Sequence, residues 1–156
     1  MASDPYLDED MRVLTPEAFE FVLTNELKRA LRSQNFLTLL VVDAAPPGGT
    51  REPTPVTREI TRLVSREIRE TDLLSQNEHG SLSVVLLDAD LENAMLVVDR
   101  LLSRLAHYEF TTPPAIAVGA ACCPTHGADV ESLRRAAETR PVHPRRETRG
   151  NASNVQ

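Results

Sequence analysis

The run "FLTLLVVD", residues 36–43, constrains the fold of this chain more than any other stretch. Its apolar residues are nearly continuous, whereas a strand with one solvated face alternates apolar and polar residues. An element of this kind is stable only where both of its faces are covered by other parts of the protein. The run therefore predicts a buried strand at the centre of a sheet.

Four segments carry the apolar spacing of amphipathic helices. The first begins after Thr15, a good N-cap residue, with Pro16 at the first helical position. Asp90 is the expected N-cap of the third. The predicted ranges are 16–34, 56–69, 91–106 and 128–140.

Two further strands, residues 72–76 and 81–88, flank the turn "NEHG" and predict a hairpin in which Gly80 supplies an unusual backbone angle. Residues 115–123, "AIAVGAACC", form the last predicted strand. The segment "AAPPGGTREPTP" (44–55) is expected to be irregular, because proline and glycine disrupt helices and strands.

The resulting order, α-β-α-β-β-α-β-α, predicts an α+β sandwich with helices packed on a central sheet. Residues 1–13 are expected to form a flexible acidic lead, 14–140 the folded domain, and 141–156 a disordered polar tail. The apolar stripe on the first helix is interpreted as core-facing, with a homodimer or docking surface as the alternative.

Composition narrows the classes of function. The formal net charge of −6 argues against a general nucleic-acid surface. No apolar run of membrane-spanning length occurs, and the start, "MASDPYLDED", does not resemble a signal peptide. The two cysteines, Cys122 and Cys123, are adjacent and indicate no disulfide framework, so a cytoplasmic location is expected.

The order of segments between about residues 14 and 137 resembles the GGDEF domain of bacterial diguanylate cyclases. The resemblance rests on "LTPEAFEFVLTNELKRA", "FLTLLVVD", "IRETDLL", "SVVLLDADLENAMLVVDRLLSRL" and "IAVGAACCPTHGADVESLRRA". It implies a nucleotidyl-cyclase-like fold, with a central, mainly antiparallel sheet and helices packed on it.

The same resemblance implies that the catalytic site has been lost. Active members carry GGDEF or GGEEF in the hairpin turn, where this chain has "EHGSL", residues 78–82. The third position, a metal-binding carboxylate in the family, is Gly80 here, and only Asp43 falls on the other metal position. One carboxylate is a poor Mg²⁺ site, and phosphoryl transfer depends on positioned metal and charge. We therefore expect no enzymatic activity, no catalytic residues, no metal and no cofactor.

An inhibitory-site motif of the family, RxxD, is retained as Arg69, Glu70, Thr71 and Asp72, five residues before the altered turn. The family site also recruits an arginine from the next helix, and Arg100 falls at that position. The resemblance thus implies that Arg69, Asp72 and Arg100 bind cyclic di-GMP. The chain is predicted to be a non-catalytic receptor that signals through contact with a protein partner or by self-association.

Other interpretations stay open at this stage. Arg69 and Asp72 could form an ordinary surface ion pair, and the domain could be a ligand-independent adaptor. A zinc site at Cys122, Cys123 and His126 is disfavoured, because neighbouring cysteines rarely chelate together. Glu78 and His79 are disfavoured as an acid/base pair, because no positioned nucleophile accompanies them. The arginine-rich tail could bind an anionic partner.

Overall fold

The computed structural model describes residues 4–8, 10–45, 55–77, 80–110 and 114–143. Within these ranges the chain forms seven strands and four helices. In chain order they are β1 (Tyr6–Asp8), β2 (Val13–Leu14), α1 (Pro16–Ser33), β3 (Leu37–Ala45), α2 (Pro55–Glu67), β4 (Leu73–Gln76), β5 (Leu82–Leu87), α3 (Leu91–His107), β6 (Ala115–Cys123), α4 (Val130–Thr139) and β7 (Pro141–His143).

One mixed sheet of the order β1-β2-β4-β5-β3-β6-β7 organises the described part of the chain. The strand β3 lies at its centre and pairs antiparallel with β5 on one side and β6 on the other. Five of the neighbouring pairs are antiparallel, and β2 with β4 is the parallel one. The prediction of a buried central strand within a mainly antiparallel sheet is confirmed, although the strand begins at Leu37 and Phe36 before it is exposed.

Helices cover both faces of this sheet. Along β3, Leu40 and Val42 face a core shared with α2 and α3. The alternate residues Leu37 and Leu39 face a second core, shared with α1 and α4. Successive side chains of a strand point to opposite faces, so two cores require apolar residues in both registers. This requirement explains the near-continuous apolar composition of β3. No helix within the described ranges is long and apolar enough to cross a membrane.

The predicted helix starts are confirmed where the sequence carries a capping residue. Thr15 Oγ1 accepts a hydrogen bond from the Ala18 amide at 3.1 Å. Asp90 Oδ1 accepts from the Asn93 amide at 2.9 Å. Each bond satisfies a backbone donor that has no partner inside its helix.

The predicted hairpin joins β4 to β5, and Gly80 adopts φ +88°, as expected for this turn. Asn77 closes the loop: its amide donates to the Ser81 carbonyl at 2.7 Å, and its side chain donates to Ser81 Oγ at 2.8 Å. Ser83 Oγ donates in turn to Asn77 Oδ1 at 3.1 Å. The turn residues Glu78 and His79 lie outside the described residues.

Both chain ends differ from the sequence-based expectation. The prediction of an irregular lead is wrong at Tyr6–Asp8, which pair with β2, and Val13 is buried in the core. The prediction of a disordered tail is wrong at Pro141–His143, which pair with β6. Each of these short strands is stabilised by backbone pairing with another strand, β1 with β2 and β7 with β6, so its own sequence carries little strand signal. Residues 144–156 lie outside the described residues.

Element boundaries differ by small amounts elsewhere. Ala44 and Ala45, expected in the irregular segment, extend β3 beside β6, and Pro55 begins α2. Residues 46–54 lie outside the described residues. The second helix ends at Glu67 rather than Arg69, and α4 spans Val130–Thr139 rather than 128–140. Helix ends are the least predictable part of a helix, since terminal backbone groups have no intrahelical partners.

The core role of α1 leads to a prediction with a control on the same helix. Leu23 has no exposed surface, whereas Phe21 is 69% exposed. We expect Leu23→Ala to lower the free energy of unfolding by about 2–5 kcal/mol, because a buried cavity forms. Phe21→Ala should change it by less than about 0.5 kcal/mol. Urea unfolding followed by circular dichroism measures both, and equal effects would contradict the assignment of α1 to the core.

Candidate functional site

The residues of the RxxD motif lie at one corner of the domain, where α2 ends and the chain enters β4. The Asp72 amide donates to the Arg69 carbonyl at 3.0 Å, so the motif forms a hydrogen-bonded turn. This turn brings the end of α2 beside Leu87, the last residue of β5. The motif spacing is therefore the spacing of a tight connection between a helix and a strand.

The carboxylate of Asp72 holds this corner together. Its Oδ2 accepts from the Arg69 amide at 2.9 Å, and its Oδ1 accepts from the Leu87 amide at 3.0 Å. The side chain is only 2% exposed. A buried carboxylate is tolerated because backbone donors and a nearby cation compensate for its lost hydration. Asp72 thus positions Arg69, and a direct contact between Asp72 and a ligand stays a prediction.

Arg69 combines a fixed backbone with an accessible side chain. Its guanidinium lies 3.5 Å from Asp72 Oδ1 and donates to the Leu87 carbonyl, yet the side chain is 62% exposed. Arg12 supports the same turn from the other side, because its guanidinium donates to the carbonyls of Ser65 (2.9 Å) and Arg69 (3.1 Å). A cation is favourable there, since the carbonyl end of a helix carries partial negative charge.

Arg100 reaches the same helix end from α3. Its Nε lies 3.2 Å from Glu67 Oε1, and its terminal nitrogen donates to the Glu67 carbonyl at 3.3 Å. Arg104, one turn further along α3, places Nε 3.0 Å from Glu67 Oε2. Both arginines are exposed, whereas the Glu67 side chain is 9% exposed. One carboxylate therefore sits between two guanidiniums.

The predicted residues all lie near the end of α2, but they differ in exposure. Arg69 and Arg100 present exposed guanidiniums, and Asp72 is buried beneath Arg69. Sequence reasoning missed Glu67, Arg104 and Arg12. The four-residue spacing of Arg100 and Arg104 on a predicted helix was a readable signal for a shared face. No local sequence pattern predicts that Arg104 pairs with Glu67, which lies in a different helix.

A second candidate region, a cleft of about 310 Å³, lies at the opposite end of β5. The two ends of that strand, Leu82 and Leu87, are separated by roughly 17 Å at about 3.3 Å per residue. Among the cleft residues, Asp43 and Glu138 contribute carboxylates and Ser81 a hydroxyl. The complete lining is Val41, Asp43, Ser81, Ala117, Val118, Gly119, Ala137, Glu138 and Pro141.

The floor of this cleft depends on Gly119. A Cβ atom built on Gly119 would lie 1.8 Å from the Ala137 carbonyl oxygen, so only glycine allows α4 to pack this closely on β6. The described residues contain no group of three or more histidine, cysteine, aspartate or glutamate side chains that could hold a metal ion.

The cysteine–histidine segment forms a loop with internal hydrogen bonds. The Cys122 amide donates to His126 Nδ1 at 2.9 Å, and the His126 amide donates to the Cys122 carbonyl at 2.7 Å. Both cysteines are buried free thiols, and burial raises the pKa of Cys123. Burial and the nearby Arg140 lower the pKa of His126, which accepts through Nδ1 as a neutral ring.

Comparison with known proteins identifies the fold. No family model matches the sequence, and no curated protein matches it. Solved structures do match. The GGDEF domain of FimX from Pseudomonas aeruginosa superposes with a TM-score of 0.74 at 13% identity, covering 87% of this chain and 90% of that one. The GGDEF domain of TpbB (YfiN) from the same organism gives 0.69 at 20% identity, covering 84% and 83%.

A third similar structure contains a ligand. It is the coiled coil and GGDEF domain of DgcB from Caulobacter crescentus in complex with cyclic di-GMP, with a TM-score of 0.66 at 13% identity, covering 84% of this chain and 75% of that one. At these identities the similarity establishes the fold. The chain has the GGDEF-domain fold, and the fold class predicted from sequence is confirmed.

The buried carboxylate of Asp72 leads to the first prediction for this site. In Asp72→Asn one oxygen becomes an amide donor facing a backbone N–H, so one buried donor loses its acceptor. We expect a loss of about 1–3 kcal/mol in the free energy of unfolding. Asp90→Asn is the matched control, because asparagine caps a helix as well as aspartate. Chemical denaturation of both variants measures the difference, and an unchanged Asp72→Asn midpoint would contradict this role.

The His126 contact predicts a pH dependence. A histidine with a lowered pKa in the folded state binds protons more weakly there than in the unfolded chain. Its stabilising contact is therefore complete above pH 6.5, the usual histidine pKa, and declines as the pH falls below that value. His126→Asn keeps an acceptor without the titration. Melting temperatures between pH 7.5 and 5 should fall less in this variant than in the wild type; parallel curves would contradict the assignment.

Proposed function

We propose that this domain is a non-catalytic receptor for cyclic di-GMP, with its ligand site at the end of α2. In this proposal Arg69 and Arg100 contact the dinucleotide, and Asp72 holds Arg69 in place. The observation that carries the proposal is the pair of exposed guanidiniums at one helix end, one of them fixed from below by a buried carboxylate. The expected location is the cytoplasm, consistent with the free thiols of Cys122 and Cys123.

The chemistry of these groups suits the proposed ligand. A guanidinium can bind a phosphate through two parallel hydrogen bonds. It can also donate to O6 and N7 on the Hoogsteen edge of guanine. Cyclic di-GMP offers both kinds of acceptor. Support also comes from the similar fold of DgcB, whose structure is a complex with cyclic di-GMP.

The absence of catalysis is part of the proposal. The family resemblance assigns a metal-binding carboxylate to the position of Gly80, which has no side chain. The backbone there adopts φ +88°, a conformation in which an aspartate or glutamate would be strained. The cleft behind the turn presents Asp43 and Glu138. The resemblance assigns a metal-binding carboxylate to two positions, and of these only Asp43 carries one, so Mg²⁺ would lack a ligand that phosphoryl transfer requires. These features support a site that no longer converts GTP.

A receptor without chemistry must transmit its signal through contact with a protein partner or a second copy of the chain. The alternative, an adaptor that acts without any ligand, is favoured by exposed apolar side chains on both helical layers. Phe21 projects from α1 and Leu96 from α3. The two functions differ in one measurable property, the binding of cyclic di-GMP.

Calorimetric titration with cyclic di-GMP tests the proposal. We expect micromolar or tighter binding by the wild type. Arg69→Ala and Arg100→Ala should each weaken it at least about tenfold, because each removes a charge-assisted contact worth about 1.5–3 kcal/mol. Arg135→Ala is the matched control, since Arg135 is an exposed arginine of α4 on the face of the sheet opposite to α2 and α3, and it should bind as the wild type does.

Two results would contradict the proposal. Wild-type protein that releases no heat and gains no thermal stability at high ligand concentration would favour the adaptor. Mg²⁺-dependent conversion of GTP to cyclic di-GMP, abolished in Asp43→Ala, would show that the domain is an enzyme.

A further inference from the structure

Glu67 already occupies the place where an anion would bind. Its two carboxylate oxygens lie 3.2 Å from Arg100 Nε and 3.0 Å from Arg104 Nε. Its side chain is nearly buried, while both arginines are exposed. Arg100 also donates to the Glu67 carbonyl. The carboxylate therefore lies beneath the arginines, and the guanidiniums lie between it and the solvent.

The two arginines need an anion between them. Side chains four residues apart on a helix are neighbours, and like charges at this spacing repel each other. Glu67 relieves that repulsion in the unliganded protein. The oxygens of a phosphate have the same charge and the same hydrogen-bonding capacity toward guanidinium as those of a carboxylate. A phosphate that binds from solvent therefore competes with Glu67 for the Nε–H donors of the same two guanidiniums.

We propose that Arg100 and Arg104 form an anion-binding pair that Glu67 fills in the unliganded domain, and that a phosphate of cyclic di-GMP takes over from Glu67. This inference rests on the function proposed above. It adds Arg104 to the site as a direct ligand contact outside the RxxD motif. It also makes Glu67 an internal competitor, which lowers the affinity of the receptor for its ligand.

Glu67→Gln tests the competition by removing the charge while keeping the size of the side chain. Calorimetric titration with cyclic di-GMP should give a dissociation constant roughly three- to tenfold lower than that of the wild type. Glu131→Gln is the matched control, because Glu131 forms an ion pair with Arg135 within α4, which packs on the face of the sheet opposite to α2 and α3. It should leave the dissociation constant unchanged. Unchanged or weaker binding by Glu67→Gln would overturn the proposal.

Arg104→Gln tests the proposed contact between Arg104 and a phosphate of cyclic di-GMP. This test does not depend on whether Glu67→Gln folds. The proposal predicts binding about three- to tenfold weaker than that of the wild type, because one phosphate contact is lost. Circular dichroism establishes that the variant is folded before titration. Wild-type affinity in folded Arg104→Gln would overturn the assignment of Arg104 to the site.

The outcomes separate this inference from the receptor function itself. If the wild type binds and Glu67→Gln binds no more tightly, the receptor stands and the competition fails. If Glu67→Gln binds cyclic di-GMP and the wild type does not, the result supports competition by Glu67. It contradicts the receptor function, because Glu67 then prevents binding in the natural protein. If neither binds, both proposals fail.

Discussion

Burial of β3 on both faces is the constraint from which the rest of the architecture follows. This nine-residue strand pairs with β5 and β6 and contributes side chains to both cores. Its apolar residues fill both cores, whereas Asp43, near its carboxyl end, is exposed and lines the cleft. The two candidate regions for a ligand lie at opposite ends of β5. The α2 corner, formed by Glu67, Arg69, Asp72, Arg100 and Arg104, lies at one end, and the cleft lies at the other.

The two ends expose different charged side chains. The corner presents the exposed guanidiniums of Arg69, Arg100 and Arg104, although the chain as a whole is acidic. The cleft presents Asp43 and Glu138. In a fold shared with GGDEF domains of diguanylate cyclases, we propose that an anion binds at the corner rather than in the cleft. The proposed receptor function is consistent with this difference between the exposed guanidiniums of the corner and the carboxylates of the cleft.

Much of the fold was predictable from local sequence. The apolar run of β3, the caps at Thr15 and Asp90, and the turn at Gly80 each express a short-range physical preference, and each agrees with the structure. The edge strands β1 and β7 were not predictable, because their pairing partners stabilise them more than their own residues do. The site divides in the same way. Arg69, Asp72 and Arg100 were predicted from the resemblance to GGDEF domains, whereas the ion pairs of Glu67 join residues 33 or more positions apart.

The central claim is that the α2 corner, and not the cleft, receives the nucleotide. A titration of ¹⁵N-labelled wild-type protein with cyclic di-GMP, followed by amide chemical shifts, tests it most directly. The account predicts that the amides of Glu67, Arg69, Leu87 and Arg100 shift in a saturable manner, while those of Asp43, Ser81 and Gly119 stay in place. Saturable shifts centred on the cleft residues, or no saturable shifts at all, would contradict it.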